Sequence, residues 1–268
     1  MTKIPIHVAD AFTAEPFRGN PAAVCLLPAP AGEEWMRRVA AEMNLSETAF
    51  LVKRADGMGG GSFDLRWFTP AAEVALCGHA TLASAHVLWE TGAAASPSIE
   101  FHTKSGILKA ARAGGRIELD FPAKPAQRAD PPPGLLEALG CKPNEIARNQ
   151  FDYLLEVASE GEVRAVEPDF AALARVDARG VVVTARSSDP KYDFVSRFFA
   201  PAVGVDEDPV TGSAHCCLAP HWRRKLGKDS LVAYQASARG GVLHLRVAGD
   251  RVFLGGDAVT IWSGELRV

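Results

Sequence analysis

The sequence predicts an α+β protein built from two similar domains, each a set of short strands around one buried helix. Three observations carry this. First, residues 66–83 (RWFTPAAEVALCGHATLA) return as residues 197–219 (RFFAPAVGVDEDPVTGSAHCCLA). Both run Arg-aromatic-Phe-x-Pro-Ala, then a short loop, then Cys-Gly or Thr-Gly, then a helix of small residues. Arg66 and Arg197 lie 131 positions apart and Gly78 and Gly212 lie 134 apart, because the second loop is three residues longer. In a chain of 268 residues this is a half-length unit used twice. Second, Ala80, Leu82, Ala83, Ala85 and Val87 leave the first repeated helix little polar face, and a helix apolar nearly all round is a buried one. Third, most of the remainder reads as short alternating or apolar runs punctuated by Gly and Pro, the pattern of strands and turns.

The elements follow in order. IPIHVA at 4–9 alternates and opens as a strand. A Gly-Asn-Pro turn at 19–21 leads into a buried strand at 22–27. Residues 33–43 form a helix with Trp35, Met36, Val39 and Met43 on one face and Glu33 and Glu34 in its first turn; Asn44 ends it. ETAFLVK is a strand. DGMGGGS at 56–62 lacks the Gly-Lys-Ser/Thr ending of a phosphate loop and reads as a hairpin tip. FDLRWF is a strand, and the first repeated helix runs from Gly78 to Glu90, stopped by Gly92. Three short strands fill 99–121, the last two joined at Gly114-Gly115. The proline-rich stretch 121–134 is the linker candidate. The second half mirrors the first: a short helix near 134–139, a strand near 151–157, a Pro-led helix near 168–175, strands VVVTA and FVSRFF, and the second repeated helix from Gly212 to Lys225, ended by Gly227. Residues 231–268 are strand and turn. The domains are therefore 1–122 and 123–257.

Composition narrows the function. The chain exceeds one ordinary core and suits two. With 47% hydrophobic and 23% charged residues it is globular, and a net charge of -3 gives no support for nucleic-acid binding. The opening MTKIPIHVADAF lacks the build of a secretory leader, and no apolar run approaches the roughly 20 residues that span a bilayer. Five sparse cysteines fit a reducing cytoplasm better than a disulfide framework. No CxxC or HExxH spacing points to a metal, and the adjacent Cys216-Cys217 make a poor chelating pair.

The two helix starts are the first candidate site. The leading N–H groups of a helix have no internal partner and carry partial positive charge, and glycine lets a ligand approach the backbone. Cys77-Gly78-His79 and Thr211-Gly212-Ser213 would each receive a carboxylate. Ordinary capping by Thr211 or Ser213 is the plain alternative. Glu47 enters a strongly apolar strand, where a carboxyl is harder to ionise and suited to moving a proton, unless it is simply a solvated strand end. His79, one residue into a helix, is expected to have a lowered pKa and stay neutral. Asp208 precedes the second helix and reads as a site carboxylate or an exposed dipole partner. His86, His102, His215, His221 and His244 are left structural.

The motifs DAF-x6-GNPAAV, MNLSETAF, FTP-x-x-E-x-x-LCGHATLA and FAP-x-x-G-x-x-EDPVTGSAH resemble the phenazine-biosynthesis PhzF-like isomerase family over nearly the whole chain. They are closest to its phenazine biosynthesis-like domain branch. The resemblance implies a diaminopimelate-epimerase-like fold, two pseudo-symmetric domains with the site between them, and a C-terminal strand, about 258–268, that returns to the first domain. It implies a cytoplasmic, homodimeric isomerase that needs no metal or organic cofactor. In phenazine-pathway members a glutamate moves a proton between two ring carbons of a dihydro-hydroxyanthranilate. That glutamate corresponds to Glu47, the site histidine to His79, and the aspartate and serine of E-D-x-x-T-G-S to Asp208 and Ser213. Gly78, Gly212 and Asn20 fall with the groups that bind the small carboxylate substrate. Related epimerases oppose two cysteines, one at each helix start. Here Cys77 meets Thr211, whose hydroxyl is far too weak an acid for that exchange. An epimerase using Cys77 with another base, and a binding protein without catalysis, remain as alternatives.

Overall fold

A computed structural model describes residues 3–55 and 61–267. Most of the Gly-rich tip expected at 56–62 lies outside the described residues. The chain divides into two compact units, Met1–Phe121 with Leu254–Val268, and Pro122–Phe253.

In the first unit β1 (Lys3–Ala11), β2 (Asn20–Leu27), α1 (Glu33–Met43), β3 (Glu47–Lys53), β4 (Ser62–Phe68), β5 (Glu73–Val74), α2 (Gly78–Glu90), β6 (Ser98–Thr103), β7 (Gly106–Ala113) and β8 (Arg116–Pro122) follow in order. β1 runs antiparallel to β2 and β2 parallel to β3, with Ala22 opposite Glu47. β3 is antiparallel to β4, β4 is antiparallel to β5 and parallel to β6, and β6, β7 and β8 form a meander. The parallel steps need crossovers, supplied by α1 and α2. Ile6, Cys25, Met36, Val39, Phe50 and Phe68 close one core under α1. Ala80, Leu82, Ala83, Ala85, Val87 and Leu88 of α2 are fully buried. The helix hides Thr81 and Ser84 by bonding their hydroxyls back to Cys77 O and Ala80 O.

The second unit holds β9 (Gln127–Arg128), α3 (Leu135–Leu139), β10 (Glu145–Arg148), β11 (Asp152–Glu156), α4 (Glu160–Ala165), α5 (Phe170–Leu173), β12 (Gly180–Arg186), β13 (Phe194–Ala200), β14 (Val205–Asp208), α6 (Gly212–Leu226), β15 (Ser230–Gln235) and β16 (Gly241–Ala248). β17 (Arg251–Gly256) spans the boundary of the units. The strand senses repeat those of the first unit. β10 is antiparallel to β11, β11 parallel to β12, β12 antiparallel to β13, β13 antiparallel to β14 and parallel to β15, and β15 antiparallel to β16. Its core gathers Leu135, Leu139, Leu155, Val163, Leu173, Val181, Val183 and Phe199. The last strand, β18 (Ala258–Arg267), lies antiparallel to β1 from Lys3↔Arg267 to Ala11↔Ala258, with a register shift at Val8/Ala9.

The duplication survives in one ion pair per unit. Arg66 on β4 donates to both oxygens of Glu73 on β5 at 2.7 Å each, and lies over the Phe68 ring. Arg197 on β13 donates to both oxygens of Glu207 on β14 at 2.7 and 2.9 Å, and lies over Phe199. Each pair ties down the short strand that leads into the buried helix, and a bidentate fork fixes its angle as well as its distance.

Two details differ from the sequence reading. The proline-rich stretch is more than a linker, because Gln127 and Arg128 pair with β10. β10 and α4 were not anticipated, since EIAR is short and half charged and EGEVRA carries a glycine. Ser159-x-x-Glu162 was the signal for α4: Ser159 Oγ accepts from Glu162 N–H, and the Glu162 carboxylate reaches back to Ala158 N–H.

Candidate functional site

Glu47, His79, Cys77 and Asn20 meet in the first unit. β3 begins at Glu47 and α2 at Gly78, so both side chains issue from element ends rather than flexible loops. His79 is 5% exposed. Its Nε2 stands 3.1 Å from Glu47 Oε2, its Nδ1 is 3.1 Å from the Asn20 amide nitrogen, and Cys77 Sγ lies 3.6 Å from Nδ1. Glu47 Oε2 is buried, and the His79 approach is not aligned as a hydrogen bond, so that oxygen has no hydrogen-bond donor among the described residues. Asn20 is fully buried at the first position of β2.

The charge on His79 is the reverse of the sequence expectation. Burial works against a charged imidazole, yet Cys77 and Glu47 outweigh it and hold the pKa well above 6.5. Burial, with Glu47 adding to it, pushes the Cys77 thiol up to about 11. The thiol is therefore neutral near pH 7. A doubly protonated ring donates from both nitrogens, and the Asn20 amide turned to present its oxygen would accept from Nδ1–H.

In the second unit Asp208 ends β14 and Thr211 precedes α6. Thr211 Oγ1 donates to Asp208 Oδ2 at 2.6 Å. Gln235, fully buried on β15, accepts from Thr211 N–H at 2.8 Å and donates to Asp208 O at 2.7 Å. Neither Cys77 nor Thr211 caps its helix through the side chain, so ordinary capping does not account for these helix starts. Ser213, in the first turn, accepts a hydrogen bond from Arg179 Nη2 at 3.1 Å. Arg179 in turn forks onto Asp152. Gln235, Arg179 and Asp152 escaped the sequence reading. The one signal for Gln235 was a lone amide closing the apolar strand SLVAYQ, and Arg179 and Asp152 are far apart in sequence.

Cys216 and Cys217 are buried inside α6, with thiols pushed up to about 12 by burial. His215 and His221 have partners after all: Thr211 O for His215 Nδ1–H, and Glu156 for His221. Among the described residues two clusters bring three metal-type donors within 4.8 Å: Glu47, Cys77 and His79, and Glu145, Glu156 and His221. In the second cluster the Lys225 ammonium stands 2.8 Å from Glu145 and 2.6 Å from Glu156, filling the place a cation would take.

The architecture is of the diaminopimelate-epimerase-like class. A hydroxyproline epimerase from Agrobacterium vitis, with bound trans-4-OH-L-proline, shares the fold at TM-score 0.61 and 14% identity, over 98% of this chain and 92% of that one. The sequence profile of the phenazine biosynthesis-like protein (PhzC-PhzF) family matches residues 9–264, and the chain belongs to that family. A PhzF family protein from Enterococcus faecalis superposes at TM-score 0.93 with 42% identity, covering 100% of both chains. An uncharacterised isomerase of Halalkalibacterium halodurans is 54% identical over 268 residues, 99% of each chain. The human phenazine biosynthesis-like domain-containing protein is 41% identical over 287 residues, 98% of this chain and 99% of that one. Among the described residues no helix is long and apolar enough to cross a membrane.

Proposed function

We propose that the chain is an isomerase that moves a proton between two carbons of a small carboxylate-bearing metabolite, using its own side chains. The supporting observation is the Glu47 oxygen buried beside His79 without a hydrogen-bond donor. A carboxylate so placed pairs with the imidazole on one side and keeps lone pairs for a substrate proton. Glu47 takes a proton from one carbon and returns it to another, so no proton or electron is gained or lost overall. The His79 imidazolium donates to the negative charge that develops between the two steps. Asp208, set by Thr211, orients the substrate, and Ser213 with the backbone at Gly78 and Gly212 holds its oxygens. Family membership and the isomerase names of its relatives support the reaction class.

An epimerase working through Cys77 is the second reading, favoured by the thiol 3.6 Å from His79 Nδ1. A thiol held at about 11 is a poor base near neutral pH, and Thr211 offers no opposing acid. The test is incubation with dihydro-hydroxyanthranilate in D2O. The isomerase reading expects deuterium at one ring carbon of the product, because the proton on the Glu47 carboxyl exchanges with D2O between the two transfers. A protein that only binds leaves the compound unlabelled, which would defeat the proposal.

A further inference from the structure

We propose that Arg179, clamped by Asp152, is a positioning residue that turns the Ser213 hydroxyl into a dedicated donor for a carboxylate oxygen of the substrate. The identity of the ligand as a carboxylate rests on the isomerase reading; the geometry is independent of it. Arg179 Nε and Nη2 donate to the two oxygens of Asp152 at 2.8 and 2.5 Å. Asp152 is 4% exposed, so this carboxylate is committed to a single arginine. The guanidinium lies over two rings, 5.2 Å from the Phe151 centroid and 5.7 Å from that of Phe198. Its backbone N–H is also bonded, to Phe151 O at 3.0 Å.

The clamp is built into the strand pair. Asp152 and Gly180 are opposite one another in the parallel β11–β12 ladder, which brings Phe151-Asp152 beside Arg179-Gly180. Gly180 has no side chain because a Cβ there would meet the Phe198 ring at 2.3 Å, and Phe198 is one of the two rings that seat the arginine. Phe151, Asp152 and Phe198, all distant from Arg179 in sequence, thus hold one guanidinium at the start of α6.

Holding it there has a consequence for Ser213. A guanidinium donates and never accepts, so Ser213 Oγ accepts from Nη2, and its own hydrogen is left to donate elsewhere. A buried ion pair is poor evidence of stabilisation by itself. One whose cation is a third exposed and aimed at a first-turn hydroxyl is better explained by what it orients.

The test is a titration of the full chain with 3-hydroxyanthranilate, followed through the backbone amide signals of Gly212 and Ser213. 2-Aminophenol, which lacks the carboxylate, is the control. Saturable shifts are expected with the carboxylate and not with the control. Arg179→Met should weaken binding roughly tenfold to a hundredfold, the worth of a charge-assisted bond. Arg179→Lys should recover part of the loss. Ser213→Ala should weaken binding similarly, and the double variant Arg179→Met with Ser213→Ala should bind no more weakly than Ser213→Ala alone. Because Arg179→Met strands a buried carboxylate, Arg179→Met with Asp152→Asn is the companion that keeps the fold, and it should show the same loss. No carboxylate-dependent shift in the wild type, unchanged affinity in these variants, or fully additive losses would overturn the proposal. Proton exchange is not read here, so failure of this series leaves the isomerase reading standing, and failure of that reading leaves this one measurable.

Discussion

His79 Nε2 stands 3.1 Å from Glu47 Oε2, and Cys77 and Glu47 together raise the imidazole's pKa in a place where burial would lower it. The folded-state pKa lies above the unfolded value near 6.5. The pair's contribution to stability is therefore fully present below pH 6.5 and lost as pH rises through the raised pKa. An NMR titration of the His79 ring should place its midpoint well above 6.5 in the wild type. In Glu47→Gln it should fall, since one of the two groups that oppose burial is removed. An unchanged midpoint would remove Glu47 as the cause.

Cys77 should behave as an inert thiol. With its pKa at about 11, under one part in a thousand is thiolate at pH 7, so alkylation by iodoacetamide followed by mass spectrometry should find it far slower than a free thiol of ordinary pKa. Cys77→Ser should keep most of the activity. Loss of activity on replacing this thiol by the near-isosteric hydroxyl would favour the epimerase reading.

The two duplicated arginines should not cost the same. Arg197 is 13% exposed at its side chain and also donates to Val166 O at 2.6 Å, whereas Arg66 is 32% exposed. Arg197→Met removes the cation beside Glu207 and the donor to the backbone carbonyls of Val163, Arg164 and Val166, and should destabilise by about 3–5 kcal/mol in urea unfolding. Arg66→Met leaves Glu73 its second cation, Lys104, and should cost about 1–2 kcal/mol. Equal losses would show that neither the second cation nor the carbonyl contacts set the cost.

His215 predicts acid lability. It is fully buried, and burial pulls its pKa down to about 4 against the opposing bond to Thr211 O. The folded-state pKa is below the unfolded one, so protonation favours unfolding and stability falls as pH drops from 6.5 toward 4. The loss amounts to about 3 kcal/mol. Urea midpoints measured across that range should fall less steeply in His215→Gln, which does not titrate; parallel slopes would assign the lability to other groups.

How much of this was legible follows from what each signal encodes. The repeat at 66–83 and 197–219 is a local pattern, and it carries the fold class, the two buried helices and the positions of His79, Asp208 and Ser213; Glu47 lies outside it, at the entrance to an apolar strand. The helix from Gly78 to Glu90 was readable because small and apolar residues on nearly every face have one solution, which is burial. β10 was not readable, because a four-residue strand with two charges has no period to detect. The charge on His79 depends on a carboxylate 32 positions away in sequence, and Arg179 finds Ser213 only through the β11–β12 ladder. Such pairings are properties of topology, which the spacing of residues along the chain does not carry.

The claim that Glu47 carries the proton is tested most directly by deuterium incorporation from D2O into dihydro-hydroxyanthranilate, comparing the wild type with Glu47→Gln. The account predicts labelling by the wild type and a loss of roughly 10²–10⁴-fold in the variant, the range for a positioned acid–base group, with the thermal midpoint little changed. Labelling by Glu47→Gln at the wild-type rate would contradict it.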